Sequence, residues 1–332
     1  MMKISKIRTV RKFETWPSWH LVYEWEDVFR ERLNIPFRYV GQINEKATKG
    51  VVKILYKMGV QILTFFFKSR DYEFYWDMWA ATKNRSDNRS NLIPCIVDFF
   101  IQKDQLPFFL RAYSKPPFIL ISSAEAFAFL KENNVSKDFY HFPLSISDIY
   151  RITADTRYAK TYDLVLFGRT NSVLNGFLDI YVRKHPDFIY VFEKVEERKF
   201  LYYTSAGNLV GDISTREQYM DLMRKSKMGL YSTPGIDGGE KRTNGFNQVT
   251  PKFLELLSCG CHIIARYEEN QDTEYYKLKE FSPSINSYEA FEKAVDLARN
   301  NDVDMEKYAI YLEQHYTSKR VELLNEILKK YN

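Results

Sequence analysis

One stretch constrains this chain more than any other: Gly235 to Arg266, GIDGGEKRTNGFNQVTPKFLELLSCGCHIIAR. It reads as a glycine-rich loop, a helix start, a short helix, a turn and a buried strand. Gly238, Gly239 and Gly245 allow positive φ and a close approach of the backbone to a ligand. Thr250-Pro251 is a helix-start signal, with Thr250 as N-cap and Pro251 at the first helical position. Phe253, Leu254, Leu256 and Leu257 supply the apolar face, and Gly260 ends the helix. His262-Ile263-Ile264-Ala265 continues as a strand. The apolar run Met228 to Tyr231 precedes the loop as another strand. A strand–loop–helix–strand order of this kind belongs to a parallel α/β sheet, which takes ligands outside its carboxyl ends.

The chemistry of the stretch suits an anion. A loop feeding a helix N-terminus presents unpaired N–H groups and the positive end of the helix dipole. Lys252 and Glu255 are three residues apart and share a helix face. A cation near phosphates and a carboxylate one turn deeper fit a nucleoside diphosphate, the carboxylate accepting from ribose hydroxyls. The competing reading is an ordinary amphipathic helix with an exposed Lys and Glu.

At 332 residues the chain has room for about two domains. Aromatics reach 16%, so large rings must fill the core or line a site. No apolar run approaches the ~18 residues of a membrane span. The start, MMKISKIRTVRKFE, lacks the apolar core of a signal peptide. Cys95, Cys259 and Cys261 are too few for a disulfide framework and suit a reducing compartment. Cys259-Gly260-Cys261 lacks zinc-site spacing and reads as small residues at a tight turn. Residues 1–150 carry 22 basic and 16 acidic side chains, against 26 and 27 in the remainder. No basic run or known motif supports nucleic acid as the partner of that positive half. An anionic membrane surface or an anionic acceptor fits better.

Taken in order, Lys3–Val10, Phe37–Val40, Tyr72–Trp79, Leu92–Phe100, Phe118–Ser122 and Phe139–Leu144 are strand candidates. Helical spacing marks Trp19–Leu33, Gln105–Ala112 and Ala124–Asn133. Lys46, Lys49, Lys53 and Lys57 fall at spacings of three and four and make one basic helix face. Such a helix can lie on a membrane or pack on the core with a solvated stripe. A second α/β unit opens at Tyr162–Gly168, followed by strands at Ile189–Glu193 and Met228–Tyr231 and a helix at Glu217–Ser226. YYTSAGNLVGDIS between them is turn-rich. Tyr288–Asn300 is an amphipathic helix, and Met305–Tyr331 is mostly helix with a break near Thr317. The first half has no glycine-rich fingerprint after its first strand, so nucleotide binding falls to the second half.

The run PKFLELLSCGCHIIA resembles the nucleotide-sugar motif of GT-B glycosyltransferases: K-x-x-E, a few small or apolar residues, Gly, then an apolar strand. The longer run NGFNQVTPKFLELLSCGCHIIARYEENQDTEYY is similar, more narrowly, to bacterial enzymes that build capsule, O-antigen or exopolysaccharide. The resemblance implies two Rossmann-like domains facing across a cleft: residues 1–155 on the acceptor side, 156–310 on the donor side, and a terminal helix, 311–332, packing back on the first domain. It implies that Glu255 binds the nucleotide ribose. Retaining members carry a second Glu eight residues earlier, where this chain has Asn247. Arg169, in the turn Gly168-Arg169-Thr170, resembles the basic residue that meets the donor pyrophosphate; a surface arginine is the alternative. Arg242, Asn247, Thr250 and Lys252 complete the expected donor set.

The acceptor side needs a base. Asp98, near the carboxyl end of the best strand of the first half, is the leading candidate; the alternative is a helix-capping Asp. His20, beside Trp16, Trp19 and Trp25, is the second candidate, and Glu14 a third. Asp302-Val303-Asp304 is the only Asp-x-Asp and reads as a helix N-cap rather than a metal site. The expectation is metal-independent transfer, with no cofactor beyond the donor, of a sugar from a nucleoside diphosphate donor, UDP-linked, to a lipid-linked or oligosaccharide acceptor, by a cytoplasmic protein held at the inner face of the cell membrane. A nucleotide-sugar epimerase of the same fold, or a non-catalytic partner subunit, are the alternatives.

Overall fold

The computed structural model describes residues 2–40, 71–83, 88–197 and 199–331. The lysine stripe Lys46, Lys49, Lys53 and Lys57 lies outside the described residues.

The first domain is an all-parallel sheet. Its strands are β1 (Lys3–Thr9), β2 (Phe37–Tyr39), β3 (Asp71–Trp79), β4 (Leu92–Asp98), β5 (Ile119–Ile121) and β6 (Phe139–His141). They lie in the order β2-β1-β3-β4-β5-β6. Parallel neighbours need crossovers. These are α1 (Pro17–Leu33) between β1 and β2, α2 (Leu106–Ala112) between β4 and β5, and α3 (Ala124–Glu132) between β5 and β6. Strand β4 sits centrally and is buried from Leu92 to Val97. It therefore reads as an unbroken apolar run, as strands covered on both faces do.

The second domain holds β7 (Tyr162–Val165), α4 (Ser172–Lys184), β8 (Tyr190–Glu196), β9 (Lys199–Thr204), β10 (Leu209–Asp212), α5 (Arg216–Arg224), β11 (Ser226–Ser232), α6 (Lys252–Ser258) and β12 (His262–Arg266). The sheet order is β10-β9-β8-β7-β11-β12. Strands β8, β7, β11 and β12 are parallel, while β8-β9-β10 is an antiparallel meander. The segment read as turn-rich is thus a β-hairpin. Its strands are short and one contains Gly211, which hides the period-two pattern. At α6, Pro251 takes the N-cap place and the Thr250 side chain does not cap, so the helix starts one residue later than its sequence signal implies.

Five helices follow: α7 (Gln271–Tyr275), α8 (Leu278–Phe281), α9 (Tyr288–Asn300), α10 (Met305–Leu312) and α11 (Thr317–Lys329). The break before α11 is a crossing point. Ile146 N–H donates to His315 O at 3.0 Å, and Thr317 N–H donates to Ile146 O at 2.9 Å. Beyond it, Val321, Leu324, Ile327 and Leu328 join the cluster of Trp25, Phe29, Phe74 and Phe142, so α11 packs in the first domain's core. Arg320 is buried there with its guanidinium on the Pro143 and Leu144 carbonyls.

Candidate functional site

The carboxyl ends of the two sheets approach one another. Asp98 closes β4 on one side. Facing it in charge are Arg169, which follows β7, and Arg242 and Glu240, which follow β11. Burial pushes the Asp98 carboxyl up to about 6, although Arg242 and Arg169 pull it down. A hydrogen bond from Trp79 also favours its charged form. The two arginines are not idle: Arg169 Nε and Arg242 Nε both donate to Glu240, one to each oxygen. Burial raises the Glu240 carboxyl, but the arginines outweigh it and hold it below the usual range. Two sequence-selected residues, Arg169 and Arg242, therefore meet on Glu240, which carried no sequence signal of its own, with a third, Asp98, within their electrostatic reach.

The loop before α6 divides into two halves with different jobs. In the first, Gly238 has φ 66° as its residue type permits, while Gly239 has φ −51° and is needed for space. A Cβ at Gly239 would lie 2.6 Å from the Pro234 carbonyl oxygen. Asp237 pins this half to its own domain, accepting from Arg266 Nε and Nη2 at 2.6 Å each and from Asn171 Nδ2 at 2.8 Å. The second half docks on the first domain. Asn244 Nδ2 donates to Phe100 O at 2.6 Å, and Asn247 N–H donates to Glu125 at 2.7 Å. Gln248 Nε2 donates to Val97 O and Ser122 Oγ. Phe246 inserts among Phe99 and Phe129, with ring centroids 5.9 and 5.5 Å away. Read from sequence as a ligand loop throughout, the stretch is in its second half an interdomain anchor.

The helix start offers fewer free amides than its sequence suggests. Thr250 N–H donates to Tyr231 Oη at 3.0 Å, Pro251 has none, and Phe253 N–H donates to Thr250 O at 3.1 Å. The positive charge near the helix start comes from side chains instead. Lys252 Nζ donates to Phe167 O at 2.7 Å, at the end of the β7 segment that leads to Arg169. Burial pulls its pKa down to about 8, with Glu255 opposing.

Glu255 is 3% exposed and is not solitary. Its Oε1 accepts from Arg216 Nη2 at 2.5 Å. Arg216 Nε lies 3.3 Å from Glu24 Oε2, on α1 of the first domain, and Tyr150 Oη donates to the other Glu24 oxygen. Burial disfavours a charged Arg216, but Glu255 and Glu24 outweigh it. Neither Arg216 nor Glu24 was legible beforehand, because each looks like a surface residue of an amphipathic helix. Asn247 brings no carboxylate: its Oδ1 accepts from Thr233 Oγ1 at 3.0 Å and its Nδ2 donates to Gly245 O at 3.1 Å. His20 stands one turn before Glu24 on α1, with its ring 6.3 Å from that of Tyr23. No hydrogen bond joins it to Asp98 or the arginines.

Asp304 caps α10 through Lys307 N–H at 2.9 Å. Cys259 and Cys261 are fully buried. Among the described residues no group of three or more His, Cys, Asp or Glu is placed to hold a metal ion. No helix among them is long and apolar enough to cross a membrane.

No family model and no curated protein sequence matches this chain. Solved structures do. A glycosyltransferase from Rickettsia africae aligns with a TM-score of 0.55 at 9% identity, covering 99% of both chains. The pneumococcal O-GlcNAc transferase GtfA, solved with UDP and GlcNAc, aligns at 0.46 and 11% identity, covering 82% of this chain and 55% of that one. This chain thus spans about half the length of GtfA. The UDP-GlcNAc 2-epimerase of Methanocaldococcus jannaschii aligns at 0.45 and 11%, covering 99% and 100%. The two six-stranded, mostly parallel sheets and the Rickettsia likeness define the fold as GT-B.

Proposed function

We propose that this chain is a glycosyltransferase that moves a sugar from a nucleoside diphosphate donor, UDP-linked in the first instance, with inversion and without a metal. The carrying observation is that Arg169 and Arg242 converge on Glu240 with Asp98 within their electrostatic reach, where the carboxyl ends of the two sheets converge. Asp98 takes the proton of an acceptor hydroxyl. The acceptor oxygen bonds to C1 of the donor sugar as the bond from C1 to the diphosphate oxygen breaks, and the electron pair leaves on the diphosphate. Arg169, Arg242 and Lys252 meet that charge. Glu255 takes ribose hydroxyls, since a carboxylate accepts at more sites than Arg216 fills. With amide chemistry at Asn247 in place of a second carboxylate, a single displacement is the simpler course.

The acceptor we assign is a lipid-linked or polysaccharide glycan of a bacterial surface. The basic excess of residues 1–150, including the Lys46–Lys57 stripe, supports work against an anionic membrane face. The experiment is release of UDP from a panel of UDP-sugars, with and without membranes bearing lipid-linked sugar. Acceptor-dependent release by the wild type, lost in Asp98→Asn, upholds the reading. Conversion of one UDP-sugar into another without UDP release points to an epimerase and sinks it.

A further inference from the structure

Resting on the reading of a nucleotide site at Glu255, we propose that Arg216 and Glu24 are positioning residues for the nucleotide ribose, so that ribose recognition in the second domain is set partly by a side chain of the first. The three charges come from three helices in two domains. Arg216 on α5 divides its guanidinium between Glu255 on α6, at 2.5 Å, and Glu24 on α1, at 3.3 Å. Tyr150, from the segment that joins the domains, anchors the remaining Glu24 oxygen. The guanidinium also lies 5.3 Å from the Tyr219 ring centroid and 5.6 Å from that of Tyr150.

The hydrogen-bond balance points to the ligand. Two carboxylates share one guanidinium, so the cluster carries a surplus of hydrogen-bond acceptors, while Lys252, coupled to Glu255, offsets the remaining charge. An acceptor surplus calls for hydroxyl donors. Burying carboxylates is costly unless they are paired, and apolar packing would serve stability as well or better. A vicinal diol, donating to a carboxylate that Arg216 holds in one orientation, uses the surplus. Glu24 matters because it holds a second nitrogen of the same planar fork, which limits how Arg216 can turn. Arg169, Arg242 and Lys252 supply the opposite chemistry on the phosphate side.

The test is a binding ratio rather than an activity. UDP and GDP, each beside its 2′,3′-dideoxy counterpart, are titrated calorimetrically into wild type, Arg216→Met, Arg216→Lys and Glu24→Gln. The wild type should prefer the ribose form by about tenfold, the scale of hydrogen bonds to a charged group. Arg216→Met should bring that ratio below about twofold while leaving affinity for the dideoxy form within about twofold; Arg216→Lys should keep part of it. Glu24→Gln, nearly isosteric, should lower the ratio about threefold and provides the test if Arg216→Met does not fold. A ratio equal to wild type in Glu24→Gln and in every folded Arg216 variant overturns the inference alone. A wild type that binds none of the four nucleotides overturns the nucleotide reading and this inference with it.

Discussion

The Asp272 carboxylate, in the second domain, accepts a 2.9 Å hydrogen bond from the backbone N–H of Ala124, at the start of a helix in the first. It also takes a bond from Ser123 Oγ and one from Glu125 N–H at 3.3 Å. One domain thereby caps a helix of the other, and the Asn247–Glu125 bond lies beside this contact. Burial pushes the Asp272 carboxyl up to about 6, against the pull of those donors. Asp272→Ala should cost about 1–2 kcal/mol, the scale of a lost N-cap. The folded pKa is raised above the unfolded one, so folding takes up protons between about pH 4 and 6, and this group's contribution to stability falls as pH rises through 6. Thermal melts of both proteins from pH 5 to 8 should therefore show a smaller gap at high pH.

The rate of transfer should follow a bell in pH. Asp98 must be deprotonated to accept a proton, and its pKa of about 6 sets the acid limb. Lys252 must be charged to meet the leaving diphosphate, and its pKa of about 8 sets the alkaline limb. Asp98→Asn should lower kcat by about 10²-fold or more with donor affinity kept, and remove the acid limb. Lys252→Met should remove the alkaline limb. An acid limb unchanged in Asp98→Asn would assign the base elsewhere, with His20 next in line.

Glu240 occupies both arginines expected to hold phosphate. A donor diphosphate must compete with it. Glu240→Gln should tighten UDP binding by about threefold and make it more salt-dependent, in keeping with a partly exposed ion pair. Weaker binding would mean that the carboxylate aligns the arginines rather than blocking them. Titration at two ionic strengths decides this.

Phe246 is an anchor of the loop on the first domain. Phe246→Ala should lower stability by about 3 kcal/mol, as loss of a buried ring does, and weaken donor binding as well. Gly239→Ala should act differently, because its Cβ would meet the Pro234 carbonyl at 2.6 Å and shift only the ligand half of the loop. It should weaken UDP binding with little change in melting temperature. Parallel melts and titrations separate the two.

Much of this molecule was legible in order along the chain. Leu92–Asp98 and Met228–Tyr231 announced themselves because strands buried on both faces leave no room for polar residues. Asp98, Arg169 and Lys252 were singled out because each stands at a strand end or a helix start, and Arg242 because it lies in the glycine-rich loop, near the edge where an α/β sheet takes its ligands. The β9–β10 hairpin escaped because its strands are short and interrupted by glycine.

Sequence alone determined the parallel strands of the two sheets, which end of each could carry chemistry, and which residue types stand there, since these depend on neighbours a few positions apart. Only the tertiary structure decided their partners. Arg216 lies 192 positions from Glu24, Asp272 lies 148 from Ala124, and Phe246 sits among first-domain rings. Such pairings arise when two separately patterned sheets are brought together with their carboxyl ends facing. A buried charge must then find its counterpart wherever the chain path has left one, which no local pattern records.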